Sequence, residues 1–561
     1  GTYTEALDID GKLVHLWGKC PSEVTIAGGD SEALRVIGVD GMEIRRIGFT
    51  SDGTRTVRLL ATSALLEQVW IHDSGGSGID AVGSIDPLRT ITLRDSLIEK
   101  SGGYGSNLGV VNLIAERSVL RELGLSSAAR GYAILNFALI NSPGTSVSLD
   151  RVLIEDVVNA GVDAGGVSVV ARDSVIRRVD RVGSADVSGG IHVSNIMGAR
   201  GRPSVDLQRV VIEDCVPQGI KIVEADLTAE ALAIRDVGVF SPGYGDGIAV
   251  EDCGSDDIGP MQVELTAVTV DRVRDGGLFS YGAHVTARGL RIREVAEGIS
   301  GAGIGVLISD EDLVSPPLSG AAELEGVVVT DVAGAGIALR GSDAVLSSVS
   351  VDGVSAGAFG GRCINMERQQ GIGTLTLSGS ALQNCVTAGR VTFGGTSTLR
   401  DVLIEAVAPD GADHGACVQL QPDEGVASTL TTQRVELAGC AGFGLVQLGG
   451  EAVVTKSTIR DVLAHPTQGW GDGLAAIQQG DTSLTIDEVV ITNVARAGIA
   501  SFGAPVTVTA TYSWCNGFHL NGEPFAGRDA TFDDLGGNHC GCGDSEEPCK
   551  VVSEDLSPPS L

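Results

Sequence analysis

The stretch VDLQRVVIEDCVPQGI, residues 205 to 220, decides the fold because the chain writes it repeatedly. Nearly the same phrase stands as VSLDRVLIEDVVNAGV at 147 to 162, AELEGVVVTDVAGAGI at 322 to 337 and LTIDEVVITNVARAGI at 484 to 499. Numbered 1 to 16, the phrase is apolar at positions 1, 3, 6, 8, 11 and 16, usually carries Asp, Asn, Glu or Arg at position 10, and has glycine at position 15. A period of two within short runs is the mark of strands whose side chains alternate between core and solvent. With position 8 as a marker, the steps from Ile98 to Ile491 alternate between 22 residues and a longer value of 31 to 37. The unit of repetition is therefore a pair of coils. One coil cannot close its own core: six or seven inward side chains at ~1.5–3 kcal/mol each barely offset an ordering cost of ~1–2 kcal/mol per residue. Stacking of coil on coil must complete it.

Two solenoids compete for the pattern. Leu207 to Cys215, LQRVVIEDC, fits the spacing of a leucine-rich repeat, and 22 residues lies within that family's range. The rest of the coil argues otherwise. GIKIVEADLTAEALAI, 219 to 234, begins with a period-two strand rather than a helical segment, and the markers are Ile or Val rather than Leu. In these features the chain resembles the right-handed parallel β-helix of the pectate-lyase-like superfamily, of the secreted type, and the opening GTYTEALDIDGKLVHLWGKCPSEVTIAG resembles the first coil of such proteins. The resemblance implies an all-β, right-handed parallel β-helix solenoid of about 18 coils, alternately short and long, over residues 1–510, with an irregular Cys-rich C-terminal cap over 511–561. It implies no particular reaction.

Composition narrows the partners. A hydrophobic content of 43% with only 4% aromatic residues, together with 79 glycines, suits many short aliphatic strands joined by turns. A formal charge of −33 excludes nucleic acid and disfavours an anionic membrane surface. Polyanionic sugars are repelled unless a basic groove or a bridging divalent cation intervenes. No apolar run reaches a membrane span, and residue 1 opens without the regions of a signal peptide, so the expectation is a mature chain or an excised portion acting outside the cell or at its surface. Eleven cysteines, four of them at Cys515, Cys540, Cys542 and Cys549, read as disulfides of an oxidising compartment. Cys363 with Cys385 and Cys417 with Cys440 recur at equivalent places and are the expected staples. Zinc held by His519, His539 and the terminal cysteines is the alternative at the C-terminal end.

The seven longer steps carry insertions of about nine to fifteen residues at matching places beside a Gly-x-Gly/Cys-Ile stem. Insertions recurring at one point of a solenoid emerge on one side, the default binding face. The candidate ligand-binding residues there are His192, Asn195, Tyr244, Glu251, Asn365, Glu367, Arg368, Gln419, Gln421 and Trp470, with Tyr244 and Trp470 as sugar-stacking faces. Asp246, Glu251, Asp252, Asp256, Asp257, Asp310, Glu311 and Asp312 form the richest acidic group. Within it, Glu251, Asp256, Asp257, Asp310 and Asp312 are candidates for paired-carboxylate catalysis, and Asp256, Asp257, Asp310 and Asp312 for calcium. The plainest alternative is a set of solvated loops. GGSGID at 75 to 80 is a lone half of a tandem calcium motif, and GVSAG at 353 to 357 copies a nucleophile elbow by letters without the following helix. One-sided insertions without a convergent catalytic motif favour a secreted or surface-displayed scaffold that binds a glycan or a surface protein. A polysaccharide-active enzyme, glycosidase or lyase, and a structural spacer rod are the rival readings.

Overall fold

The computed structural model describes residues 1–558 apart from 125–130, 139–143, 182–188, 196–200, 240–244, 255–258, 299–300, 311–317, 370 and 412–414. It divides into two units, Gly1–Arg274 and Asp275–Leu561. Every regular element among the described residues is a β-strand. Each unit is a right-handed parallel β-helix.

In the first unit the opening phrase supplies the strands Ser204–Gln208 and Val211–Cys215, and Ile220–Val223 completes the coil. Each pairs in parallel with its counterpart one coil before and one after, so like residues stack: Ile176, Ile212 and Ile234 in one ladder, Ile191, Ile220 and Ile248 in another, Ala171, Leu207 and Ala229 in the third. All nine are buried. At the strand spacing of about 4.8 Å, β-branched side chains pack on their own kind, which is why Val and Ile occupy the markers.

Positions 5 and 10 turn the corners. Arg209 and Asp214 adopt left-handed φ of 53° and 54°, and Glu488 and Asn493 in the second unit 54° and 56°. Asp and Asn tolerate that conformation best among residues with a Cβ, which accounts for the polar preference at position 10. Stacked corners also pair: Arg209 donates from Nε and Nη2 to the Asp173 carboxylate at 2.6 and 2.8 Å. Glycine at position 15 answers a close approach. A Cβ on Gly219 would stand 2.6 Å from both the Gly247 carbonyl oxygen and Ile234 Cγ2.

Position 9 explains the pairing of coils in the first unit. Glu99, Arg121, Glu155, Arg177, Glu213 and Arg235 lie in register on one outer face, acid and base alternating coil by coil. Arg121, Arg177 and Arg235 donate from Nε to Glu99, Glu155 and Glu213 at 2.8, 2.9 and 2.6 Å. Pairs of this partly exposed kind contribute about 0.2–1 kcal/mol each. They also penalise a slip by one coil, which would set like charges opposite.

The second unit repeats the coil: Val306, Ile337 and Ile364 stack, as do Ile292, Val329 and Val351. Beyond residue 510 the parallel pairing continues through Tyr512–Trp514, Phe518–Glu523, Thr531–Asp534 and His539–Cys542, before Ser545–Glu547 turns back antiparallel. Four disulfides lie in this unit: Cys363–Cys385, Cys417–Cys440, Cys515–Cys542 and Cys540–Cys549. The first two join position 15 of one coil to position 11 of the next, with Cα separations of 5.7 and 5.6 Å. The last two take the terminal cysteines away from zinc. No helix among the described residues is long and apolar enough to cross a membrane.

Candidate functional site

Of the strands that follow the position-15 glycine, Ala160–Gly165 and Gly189–Ser194 are buried almost throughout, whereas Ile220–Val223 leaves alternate residues partly exposed. Their inward residues are the Ile and Val of the ladders; the residue after each Ile faces outward. In the first unit those outward residues line up as Arg58, Asp80, Asn107, Leu135, Asp163, His192, Lys221 and Ala249. The row is polar along most of its length, and at its C-terminal end it becomes chemically rich.

Asp163 and His192 are buried, and His192 Nδ1 lies 2.8 Å from Asp163 Oδ1. A carboxylate at that distance favours a proton on Nδ1, donated to Asp163, and leaves Nε2 as the acceptor. Lys221 follows one coil on, paired with the small Ala249, and its Nζ reaches diagonally to Glu251 Oε1 at 3.1 Å. Lys221 and Glu251 keep 29% and 34% of their side-chain exposure, so their ion pair is open to solvent and to a ligand. Beside the row, Gln218 donates from Nε2 to Asp246 Oδ2 at 3.2 Å, and both are buried. The arrangement offers an oriented imidazole, an ammonium and a carboxylate on successive coils. Of these residues the sequence points to His192, Asp246 and Glu251; Asp163 and Lys221 it does not single out, although the place directly after each Gly-Ile or Gly-Val would have found both.

Several expected site residues hold the insertions shut instead. Asp252, one residue beyond Glu251, is buried and accepts from Met261 N at 2.7 Å and Gly254 N at 3.1 Å. Arg202 Nη2 donates to Gly259 O at 2.9 Å and to Asp252 Oδ2 at 3.3 Å. Asp310 in the second unit does the same work, accepting from Gly320 N at 3.0 Å. Burial raises the pKa of Asp310, against the opposing hydrogen bonds from Gly320, Gly371 and Ser342. A carboxylate at the foot of an insertion thus satisfies the backbone N–H at its far end, and Asp310 is not available as a calcium ligand or acid–base group in this arrangement. Asn195 stands at the foot of another insertion with its Oδ1 buried and no partner among the described residues. Tyr244, Asp256, Asp257, Glu311 and Asp312 lie outside the described residues. Among the described residues no three His, Cys, Asp or Glu side chains converge as a metal site.

The second unit carries a patch of its own. Asn365 is fully buried, accepting from Arg362 Nη1 at 2.7 Å and donating to Glu367 Oε1 at 2.8 Å. The Arg362 guanidinium lies 5.2 Å over the Phe393 ring, and Arg340 pairs with Glu367 at 3.4 Å. Gln421 pairs with Phe393 and Gln419 with Val391, while Arg368 is turned to Glu424 at 3.2 Å. Asn365 is therefore an internal brace rather than a ligand contact. Trp470 is a correction too. It is buried in a second apolar layer with Phe443, Val446, Ala475 and Phe502, its ring 5.8 Å from Phe443 and 5.5 Å from His465, and so has no free face for a sugar.

The sequence matches no protein-family model and no curated protein. Several solved structures are similar to it at low identity. The catalytic unit of a thermostable GH87 alpha-1,3-glucanase from Streptomyces thermodiastaticus strain HF3-3 aligns at 14% identity over 70% of this chain and 62% of that chain, with a TM-score of 0.35. The periplasmic alginate epimerase AlgG aligns at 9% over 77% of this chain and 73% of that one, with a TM-score of 0.29. The PL6 family alginate lyase AlyGC aligns at 12% over 99% and 94%, with a TM-score of 0.21. The chain thus spans about three fifths of the glucanase unit. The alignments are loose and assign no residue a role.

Proposed function

We propose that this protein is a secreted or cell-surface β-helix that binds a glycan along the outward row Asp163, His192 and Lys221, with Glu251 beside it. The observation that carries the reading is the row itself: polar, hydrogen-bonding side chains one per coil, about 4.8 Å apart, buried at Asp163 and His192 and reaching solvent at Lys221 and the neighbouring Glu251. Lys221 already has its counter-charge in Glu251, and the Asp163 carboxylate is taken up by the His192 Nδ1–H. Together with the net charge of −33, this favours a neutral, hydroxyl-rich chain over a polyuronate. The four disulfides suit an oxidising compartment, outside the cell or in its envelope. The Phe393, Glu367, Gln419 and Gln421 patch is a second place for the same class of ligand, and a surface protein is the other partner class that such a face serves.

The test is calorimetric titration with neutral and acidic oligosaccharides, with and without calcium, on the intact chain and on His192→Ala and Lys221→Ala. Neutral glycan should bind; Lys221→Ala should weaken it by about tenfold or more, since it removes a hydrogen bond to a charged group at ~1.5–3 kcal/mol, and His192→Ala, which removes a neutral acceptor at ~0.5–1.5 kcal/mol, by about two- to tenfold. Binding that both variants retain at full strength would remove the site from the row. Calcium-dependent binding of acidic sugar alone would move it to the carboxylates Asp256, Asp257 and Asp312.

One observation favours a second reading, a polysaccharide-active enzyme. His192 is oriented by Asp163 as a general base commonly is, with Lys221 beside it to stabilise developing negative charge. New reducing ends or unsaturated uronate that appear with the intact chain and vanish with His192→Ala would make it the correct one.

A further inference from the structure

A charged side chain lies in the interior of the second unit, where the coil pattern asks for an aliphatic one. Arg390 occupies an inward ladder place, paired with Ile364 of the preceding coil and Val418 of the following one. It is the largest of the wholly buried side chains among the described residues. Its Nη2 donates to the hydroxyls of Thr392 and Ser397, themselves buried. Its Nε and Nη1 have no partner among the described residues. Burial alone acts on its titration, with no acidic neighbour contributing, and pushes it down to about 9, so the side chain is still a cation at neutral pH. Thr432, one coil beyond Leu399 and two residues along the strand from Leu430, which is opposite Ser397, is also buried and has a hydroxyl without a partner among the described residues.

A guanidinium in a low-dielectric core without an opposite charge costs several kcal/mol, and arginine does not relieve that cost by losing its proton. The hydroxyls of Thr392 and Ser397 supply dipoles but no charge. Leucine or isoleucine at this place would continue the ladder without any such cost. The forked geometry of arginine, by contrast, suits an anion held by two parallel N–H groups.

We infer that the second unit binds a small monovalent inorganic anion of the halide class inside its core, held by Nε and Nη1 of Arg390 with the Thr432 hydroxyl as a further donor. The anion neutralises Arg390 and joins neighbouring coils around it, so it is structural and independent of any glycan bound on the outer face.

The test uses the full chain with bromide as the probe. Crystals grown in sodium bromide should show an anomalous peak in contact with Arg390 Nε and Nη1. Thermal unfolding should occur roughly 5 °C higher in a hundredfold excess of bromide over its Kd than in sodium gluconate of equal ionic strength. Arg390→Met should abolish that difference, and Thr432→Val, which keeps the cation, should at least halve it. If Arg390→Met does not fold, Thr432→Val and the anomalous peak decide. Equal unfolding temperatures in the two salts with no bromide at Arg390, the result expected if water alone surrounds the guanidinium, would overturn the inference.

Discussion

Cys215 ends a strand of the first unit at position 11, the place that Cys385 and Cys440 fill in the second, but the residue opposite is Gly190 rather than a cysteine. A Cβ built on Gly190 stands 3.6 Å from Cys215 Sγ. Gly190→Cys should therefore create a third staple of the kind that joins Cys363 to Cys385. Closing a loop of about 25 residues stabilises by about 3.5 kcal/mol in the chain-entropy account. Against this stands crowding, because the same Cβ would lie 2.6 Å from both the Gly219 carbonyl oxygen and Ile212 Cγ2, an overpacking that costs about 1–3 kcal/mol. The net expectation is a gain of about 0.5–2.5 kcal/mol, with the sign reversing on reduction, when only the crowding remains. The assay counts reactive thiols in the denatured chain and compares urea midpoints with and without reductant. Formation of the bond removes Cys215 from the thiol count, and the oxidised variant outlasts the wild type while the reduced one falls below it. A variant that unfolds with both thiols still reactive would refute the equivalence of the 190/215 and 363/385 places.

Other expectations follow from the packing. Glu155 is desolvated, which alone would raise its pKa, but the hydrogen bonds from Arg177 and Arg178 outweigh that and hold its carboxyl below the ordinary glutamate value. Its folded value is thus depressed, so its contribution is complete above the unfolded value of about 4.3 and is lost as pH falls through the lower folded one; urea midpoints measured from pH 6 to pH 3 should drop less steeply in Glu155→Gln than in the wild type. Trp470→Ala should cost about 3–5 kcal/mol in a denaturant titration, the range for an aromatic removed from a core, while leaving glycan affinity unchanged where the variant is folded. A weakening of glycan binding without loss of stability would return Trp470 to the binding face. Asp310→Ala should cost about 1–3 kcal/mol by leaving the Gly320 N–H without its acceptor, whereas Asp310→Asn, which still accepts, should cost less.

The coil could be read from the repeated phrase because its information is local. Alternation of period two at Val205 and Leu207 and again at Val210 and Ile212, a polar corner at Asp214 and a glycine at 219 lie within a single turn of the chain. The candidate site was legible only in part. His192 and Glu251 stand in insertion-bearing coils and drew notice as polar residues near a stem, yet the same reasoning promoted Asp252, Asp310, Asn365 and Trp470, which the fold uses to close insertions or to fill a second apolar layer. From sequence a carboxylate that caps an insertion and one that faces a ligand look alike; the difference is whether a backbone N–H some ten residues later returns to it. The parallel pairing that runs on through 512–542 was obscured for a similar reason, since disulfides and polar residues there replace much of the aliphatic alternation that marks the other coils.

The sequence by itself determined that this chain winds into stacked parallel coils, because strand alternation, corner residues and the crowded glycine are requirements that each coil states for itself. Only the tertiary structure decided which side chains meet across coils. Asp163, His192 and Lys221 are each separated by 29 residues, and Glu99 and Arg121 by 22. Their contacts arise from the register of one coil on the next, and insertions of varying length hide that register until the backbone hydrogen bonds between coils fix it.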